Sequence, residues 1–167
     1  MQLIYLYISE YGNFRHAEFN FSPDVRIHFN EDINEIEVWD AQSRLPERFW
    51  GENISSLSVV VGNNGAGKTS LMQYIIELFL NAHESRREKV LYEYGTGIMI
   101  FGEGDMLYEY CFFPWEQKLI SIRAKSCKYQ RSCWLKRSDV ERILGRTKLI
   151  YLTNALARRD CQRGQWY

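Results

Sequence analysis

The stretch LSVVVGNNGAGKTSLMQYI, residues 57–75, decides the expected fold of this 167-residue chain. Its first five residues are apolar and mostly β-branched, which predicts a strand buried on both faces. From Lys68 onwards the apolar residues recur with the period of a helix, which predicts an amphipathic helix that fades out within residues 81–89. A strand, a glycine-rich loop and a helix are therefore expected in direct succession.

The glycine-rich loop of residues 62–69 matches the phosphate-loop pattern GxxxxGK[ST] at every defined position. Glycines accept positive φ angles and carry no Cβ, so successive N–H groups can turn towards an anion. The helix behind the loop adds free N–H groups and a partial charge of about +0.5 at its N-terminus. The residues predicted to contact the nucleotide are Gly62, Asn63, Asn64, Gly65, Ala66, Gly67, Lys68, Thr69 and Ser70.

Two side chains of this loop have specific predicted tasks. Lys68 is the candidate catalytic residue, because its ammonium group would lie against the β and γ phosphates. The Thr69 hydroxyl is the candidate metal ligand, for a Mg²⁺ ion that bridges those phosphates, and Ser70 offers a second hydroxyl. The predicted cofactors are therefore ATP and Mg²⁺, with the choice between ATP and GTP left open.

The rest of the chain predicts a fold rich in β-structure, because apolar and polar residues alternate in many segments. Strands are expected at residues 3–9, 17–21, 25–29, 33–39, 97–101, 106–113, 119–124 and 148–152. The first four are expected to form a small antiparallel sheet with Glu35 and Glu37 on its wet face. Ser138 and Glu141 fit a capping box for a short helix through Leu144.

Composition indicates a single globular domain, because 46% of the residues are apolar and none of the chain is low in complexity. No segment approaches 18 apolar residues, and the N-terminus lacks the basic region of a signal peptide. A cytoplasmic protein without a membrane span is therefore expected. The four cysteines form no CxxC pair, which favours reduced, partly buried thiols over a zinc site.

The charge is distributed unevenly, although the net charge is zero. Residues 1–114 hold 8 Lys/Arg against 17 Asp/Glu, and residues 115–167 hold 13 against 4. The basic last third predicts either a surface for nucleic acid or a solvated face matched to the acidic first half. The residues that would carry the first alternative, with aromatics among the cations, are Lys125, Lys128, Tyr129, Arg131, Trp134, Lys136 and Arg137.

The hairpin sequence ISEYGNFRHAEFNF, residues 8–21, together with the phosphate loop, resembles the amino-terminal lobe of ABC-type ATPases of the SMC and RecF kind. These relatives include the bacterial AAA-type ATPases of phage-defence operons. The resemblance covers residues 1–80 well and the remainder loosely. It implies a P-loop NTPase lobe of α/β class with an N-terminal antiparallel β-subdomain, and it places the basic residue of an NFR turn, here Arg15, near the nucleotide.

The implied lobe covers residues 1–167 as one ATP-binding unit in three parts. These parts are a β-hairpin subdomain with an insertion (1–56), the P-loop strand and helix (57–81), and further strands with a short helix and a basic tail (82–167). The resemblance also implies a homo-oligomer or a second ATPase head, which nucleotide holds together, and a nuclease or DNA complex as the partner that is switched.

Two parts that such ATPases need for hydrolysis are missing from the sequence. No LSGG-like signature loop occurs, and no apolar strand ends in the Asp-Glu pair of a Walker B motif. The nearest strings, residues 90–93 and 106–109, lack that pair and do not resemble buried strands. Gln162 and Gln165 are weak candidates for the glutamine that senses Mg²⁺. The sequence therefore predicts nucleotide binding, in an incomplete ATPase head, with turnover dependent on further segments.

Two other functions remain open from the residues. A small P-loop kinase carries the same loop, although no arginine-rich lid follows a pair of helices here and the loop lies far from the N-terminus. A regulatory module that binds nucleic acid through the basic last third is the other alternative. The two predict different results: a kinase transfers phosphoryl groups to an acceptor, and a nucleic-acid-binding module gives salt-sensitive gel shifts.

Overall fold

The computed structural model gives the chain an α/β architecture with two mixed sheets and one long helix. It describes residues 1–41, 46, 49–52, 54, 57–83, 97–112, 120–125, 128–135, 139–140 and 142–143. The strands are β1 (Gln2–Tyr11), β2 (Phe14–Asn20), β3 (Val25–Asn30), β4 (Glu35–Asp40), β5 (Gly97–Glu103), β6 (Met106–Phe112), β7 (Ser121–Lys125) and β8 (Arg131–Trp134). The helix is α1 (Lys68–His83).

The first sheet has five strands in the order β2-β1-β5-β6-β8. The β1–β2 hairpin turns at Gly12, whose φ angle of 56° favours glycine, and pairs Tyr11 with Phe14. Strand β5 pairs antiparallel with β1, β6 pairs antiparallel with β5, and β8 pairs parallel with β6 at the edge of the sheet. Strands from the first and last thirds of the sequence therefore share one sheet.

The second sheet has three strands in the order β3-β4-β7 and covers one face of the first. Its buried residues alternate along each strand, as Ile36 and Val38 do on β4, which is the pattern of a sheet with one buried face. The two sheets share an apolar cluster formed by Ile4, Tyr5, Tyr7, Val25, Ile27, Phe29, Ile36, Val38, Ile98, Ile100, Leu107, Ile120 and Tyr129. We call these two sheets with their shared core the sandwich.

Side chains of β2 join the two sheets along one side of the sandwich. Asn20 donates to the carbonyl of Ile27 at 2.9 Å and accepts from its N–H at 2.7 Å. Glu18 accepts from the Tyr5 hydroxyl at 2.8 Å and from the N–H of Phe29 at 3.2 Å. The edge groups of β3 are thus partly satisfied by side chains, which keeps this edge from pairing elsewhere.

Helix α1 covers the opposite face of the first sheet. Leu71, Tyr74 and Leu78 form its buried stripe, with the i, i+3, i+7 spacing of an amphipathic helix. They pack against the residues of the first sheet that point away from the sandwich, which include Leu6, Ile8, Met99, Phe101 and Tyr110. The order of layers is therefore second sheet, first sheet, helix, with the phosphate loop at the N-terminal end of α1.

The predicted strand at Leu57–Val61 is wrong. The structure has no strand assignment there, and Val59 and Val61 are 74% and 83% exposed. A strand needs neighbours whose N–H and C=O groups it can pair with, and the places beside α1 in the first sheet are taken by β1, β5 and β6. Among the described residues this apolar segment pairs with no strand, and a hydrogen bond from Ser58 Oγ to the carbonyl of Phe21 at 3.0 Å ties it to the end of the hairpin.

The other predicted elements are largely confirmed. The hairpin, the strands near residues 25–39 and 97–124 and the helix from Lys68 all occur, with Ser121 and Arg123 exposed as expected. The first four strands do not form one sheet, because β3 and β4 leave the hairpin to build the second sheet. Asp139, Val140, Arg142 and Ile143 are helical, and the cap residues and the strand expected at 148–152 lie outside the described residues.

Candidate phosphate-binding site

The backbone of the phosphate loop is bent at two glycines. Gly65 and Gly67 have φ angles of 83° and 86°, in the left-handed region where a Cβ is strained. Between them, the N–H of Ala66 donates to the carbonyl of Asn63 at 3.1 Å, which closes a tight turn. Gly65 and Gly67 thus occupy positions that favour glycine, and the turn folds the loop back on itself.

Helix α1 begins directly at the end of this loop. The N–H of Leu71 donates to the carbonyl of Gly67 at 2.8 Å, which is the first hydrogen bond of the helix. The N–H groups of Lys68, Thr69 and Ser70 precede it and have no acceptor within the helix. They carry the positive end of the helix dipole, so the site favours an anion such as phosphate.

The Lys68 ammonium group lies over its own loop. Its Nζ donates to the carbonyls of Gly62 and Asn63 at 2.7 Å and 2.8 Å. These contacts hold the positive charge against the backbone at the start of the loop. A phosphate oxygen could replace the two carbonyls, because an anionic acceptor forms the stronger hydrogen bond with an ammonium group.

The hairpin turn contacts the loop through Phe14. A Cβ atom at position 67 would lie 2.9 Å from Phe14 Cζ and 3.0 Å from Cε1, so the ring sits directly against Gly67. In the sequence, this turn draws attention through its basic residue Arg15, and nothing in the local pattern indicates that Phe14 contacts Gly67. The only sequence signal was the presence of Phe14 in that turn, and a hairpin residue can meet a loop about fifty positions later only through the tertiary fold.

Arg15, the basic residue of the same turn, is held within the hairpin. Its guanidinium group pairs with Glu10 at 2.9 Å and donates to the carbonyls of Gly12 and Phe14 at 3.0 Å and 2.7 Å. The side chain is exposed, and its neighbour Phe14 touches the loop. The structure thus brings Arg15 to the end of the molecule that carries the phosphate loop, but engaged with a carboxylate.

The loop is open to solvent and carries hydroxyl groups for a metal. Residues 62–66 and Thr69 are exposed, and Ser70 is half-buried. No group of three or more His, Cys, Asp or Glu side chains that could hold a metal ion occurs among the residues described. Thr69 thus presents an exposed hydroxyl, a group of the oxygen type that Mg²⁺ accepts, next to Lys68.

Glu109 ends the one of the two Walker B-like strings, residues 106–109, that lies in the described part of the chain. Its position corrects the expectation that this string is not a buried strand. It lies on β6 at 0% exposure, so the string Met106–Glu109 is a buried strand, contrary to expectation. Leu107 and Cys111, two positions away on either side, face the sandwich, and Glu109 shares their face. The first sheet therefore separates Glu109 from α1 and the phosphate loop.

The carboxyl group of Glu109 has an unusual environment. Neither oxygen accepts a hydrogen bond of ordinary geometry from the described residues, and the hydroxyl of Ser132 is a polar neighbour in a poorer geometry. Burial raises the pKa of Glu109 to about 7, an effect that the Ser132 hydroxyl partly opposes. Burial, together with the nearby Glu109, also raises the pKa of the Cys111 thiol to about 12, which keeps this free cysteine protonated and unreactive.

Two basic candidates for nucleic-acid binding, Lys128 and Arg131, form ion pairs within the chain. Lys128 pairs with Asp24, and Arg131 pairs with Asp105 through two hydrogen bonds of 3.0 Å and 2.7 Å. Tyr129 is buried, with its hydroxyl directly above Gly102, while Trp134 is exposed. These two basic side chains thus match acidic residues of the first half, which was the second interpretation of the charge distribution. Lys136, Arg137, Gln162 and Gln165 lie outside the described residues.

No protein-family model, curated protein or solved structure matches this chain. The assignment of the site therefore depends on the loop geometry and on the residues around it. Among the described helices, none is long and apolar enough to cross a bilayer.

Proposed function

We propose that the chain binds ATP with Mg²⁺ through residues 62–69. The observation that carries this proposal is the convergence of three features on one turn: glycines at positive φ, the free N-terminus of α1, and the Lys68 ammonium group held over the turn. Each favours an anion, and together they fit a chain of phosphates. A glycine-rich turn with a purely structural role has no need of a lysine held against its backbone.

Within this proposal Lys68, the first N–H groups of α1 and Thr69 each make a separate contact with the bound Mg-ATP. The Lys68 ammonium group leaves its loop carbonyls and donates to oxygens of the β and γ phosphates. The backbone N–H groups at the start of α1 donate to the same phosphate groups. Thr69 supplies a hydroxyl to Mg²⁺, which neutralises phosphate charge. The chain thus acts first as a nucleotide-binding unit.

We further propose that this nucleotide-binding unit is the N-terminal lobe of an ABC/SMC-like ATPase. The support is the Phe14–Gly67 contact, because it brings together the hairpin and the loop, the two segments on which the resemblance depends. Hydrolysis in this proposal needs a carboxylate from beyond the described residues, since Glu109 faces the sandwich. Nucleotide-dependent pairing with a second head would then switch a nuclease or DNA complex, as in phage defence.

Calorimetric titration tests the proposal. Mg-ATP is expected to bind the wild-type chain, and Lys68→Ala is expected to weaken binding at least tenfold, because a charge-assisted hydrogen bond contributes about 1.5–3 kcal/mol. Titrations with Mg-GTP and with ATP in excess EDTA report base preference and metal dependence.

Lys128→Ala is the matched control for this titration. It also removes a lysine that is hydrogen-bonded within the chain, but one that pairs with Asp24 at the sandwich. Its affinity is expected to equal that of the wild type. Equal heats for the wild type and Lys68→Ala would overturn the proposal.

A further inference from the structure

We infer that Phe14 is a positioning residue of the phosphate loop, which holds the Gly67 backbone in the conformation that receives phosphate. This inference rests on the proposed nucleotide binding and adds a specific residue to it. It starts from the three atoms that a Cβ at position 67 would meet first, all of which belong to the Phe14 ring.

The ring is held firmly from the hairpin side. Phe14 is the first residue of β2 and pairs with Tyr11 across the turn, so its backbone position follows from the sheet register. Its ring packs edge-on against Phe19, with ring centroids 5.4 Å apart. The contact with Gly67 is therefore made by a side chain whose place the first sheet determines.

A second contact fixes the hairpin along the helix. The rings of Tyr11 and Tyr74 lie 4.6 Å apart between centroids, and Tyr74 is fully buried. Gly67 and Tyr74 are seven residues apart, which is about two turns or 10 Å along a helix. The end of the hairpin thus touches Gly67, just before α1, and Tyr74, two turns along it, and the loop cannot rotate about the helix axis without losing the Phe14 contact.

The contact matters because Gly67 is the last flexible residue before the helix. Glycine populates positive and negative φ about equally, so nothing in the residue itself selects the φ of 86° seen here. The Phe14 ring occupies one side of Gly67 and disfavours rearrangements that would move this backbone into it. The loop thus keeps its N–H groups directed at the ligand before the ligand arrives, which lowers the cost of binding.

A double-mutant cycle without nucleotide tests the contact itself. Gly67→Ala is expected to lower Tm, through both the strained φ and the clash with the ring. In the Phe14→Ala background, the same substitution should lower Tm less, because the ring is gone and the strain alone remains. Equal losses of Tm in the two backgrounds would overturn the contact.

Mg-ATP affinity tests the positioning role. Phe14→Ala is expected to raise the Kd for Mg-ATP about tenfold. Phe14→Leu, which refills part of the space, should recover part of the lost affinity. Leu78→Ala is the matched control: it removes a buried side chain from the same apolar cluster, eleven residues further along the chain than Gly67, so it should lower Tm without changing Kd.

The outcomes separate this inference from the proposal beneath it. A wild-type chain that does not bind Mg-ATP overturns both. A wild type that binds, with Phe14→Ala binding equally well, overturns the positioning role alone. Losses of affinity in Phe14→Ala and Leu78→Ala that follow their losses of Tm would also overturn it, since the Phe14 ring would then act only through general stability.

Discussion

Valine lies in two opposite environments in this protein. In the sandwich, Val25 and Val38 are 0% exposed, while before the phosphate loop Val59 and Val61 are 74% and 83% exposed. Both regions are apolar and β-branched, and both would be assigned as strands from composition. The difference teaches that β-propensity describes how well a residue fits a sheet that already exists, and not a preference of the isolated segment.

The largest expected effect concerns Glu109, whose carboxyl group is buried in the interior of the sandwich. The folded-state pKa of Glu109, about 7, lies above its ordinary value of 4.5. The folded state therefore binds more protons between these values, and the contribution of Glu109 to stability falls as pH rises from 4.5 to 7 and then levels.

Glu109→Gln removes this pH-dependent term. Relative to the wild type, the variant is expected to gain stability across that window, by up to about 3 kcal/mol above pH 7, as measured by urea unfolding at several pH values. Glu103→Gln, at an exposed carboxylate of β5, should give no such trend. Parallel stability profiles for the wild type and Glu109→Gln would show that the buried carboxyl is ionised at no cost.

An intermediate effect is expected when a buried valine is shortened. Val38→Ala removes two carbon atoms from the core shared by the two sheets, so the free energy of unfolding should fall by about 2 kcal/mol from lost burial and the cavity left behind. Urea denaturation at pH 7 measures the change. A loss below about 0.5 kcal/mol would mean that the sandwich repacks and that its two sheets are not held by this core.

The smallest effect is expected for the matched change before the phosphate loop. Val61→Ala removes the same two carbon atoms from an exposed side chain, so the free energy of unfolding should change by less than about 0.5 kcal/mol. The same denaturation measurement applies. A loss as large as that of Val38→Ala would contradict the exposed placement and show that the segment is covered in solution.

Local patterns were enough to predict much of the fold. The alternation of buried and exposed residues on β3 and β4 and the helical spacing of Leu71, Tyr74 and Leu78 are direct consequences of strand and helix periods. Strand β8 was not predicted, because its four residues are all exposed and carry no alternation. Its place in the sheet depends on pairing with β6, which no local pattern records.

The candidate site divides in the same way. The sequence by itself determined the phosphate loop, because Gly65, Gly67 and Lys68 act through local backbone geometry and a reach of a few residues. Only the tertiary structure decided that Phe14 meets Gly67, that Glu109 faces the sandwich and that Leu57–Val61 pairs with none of the described strands. The physical reason is that φ angles, turns and helix starts are set within a few residues, whereas contacts and sheet neighbours depend on segments far apart in the chain.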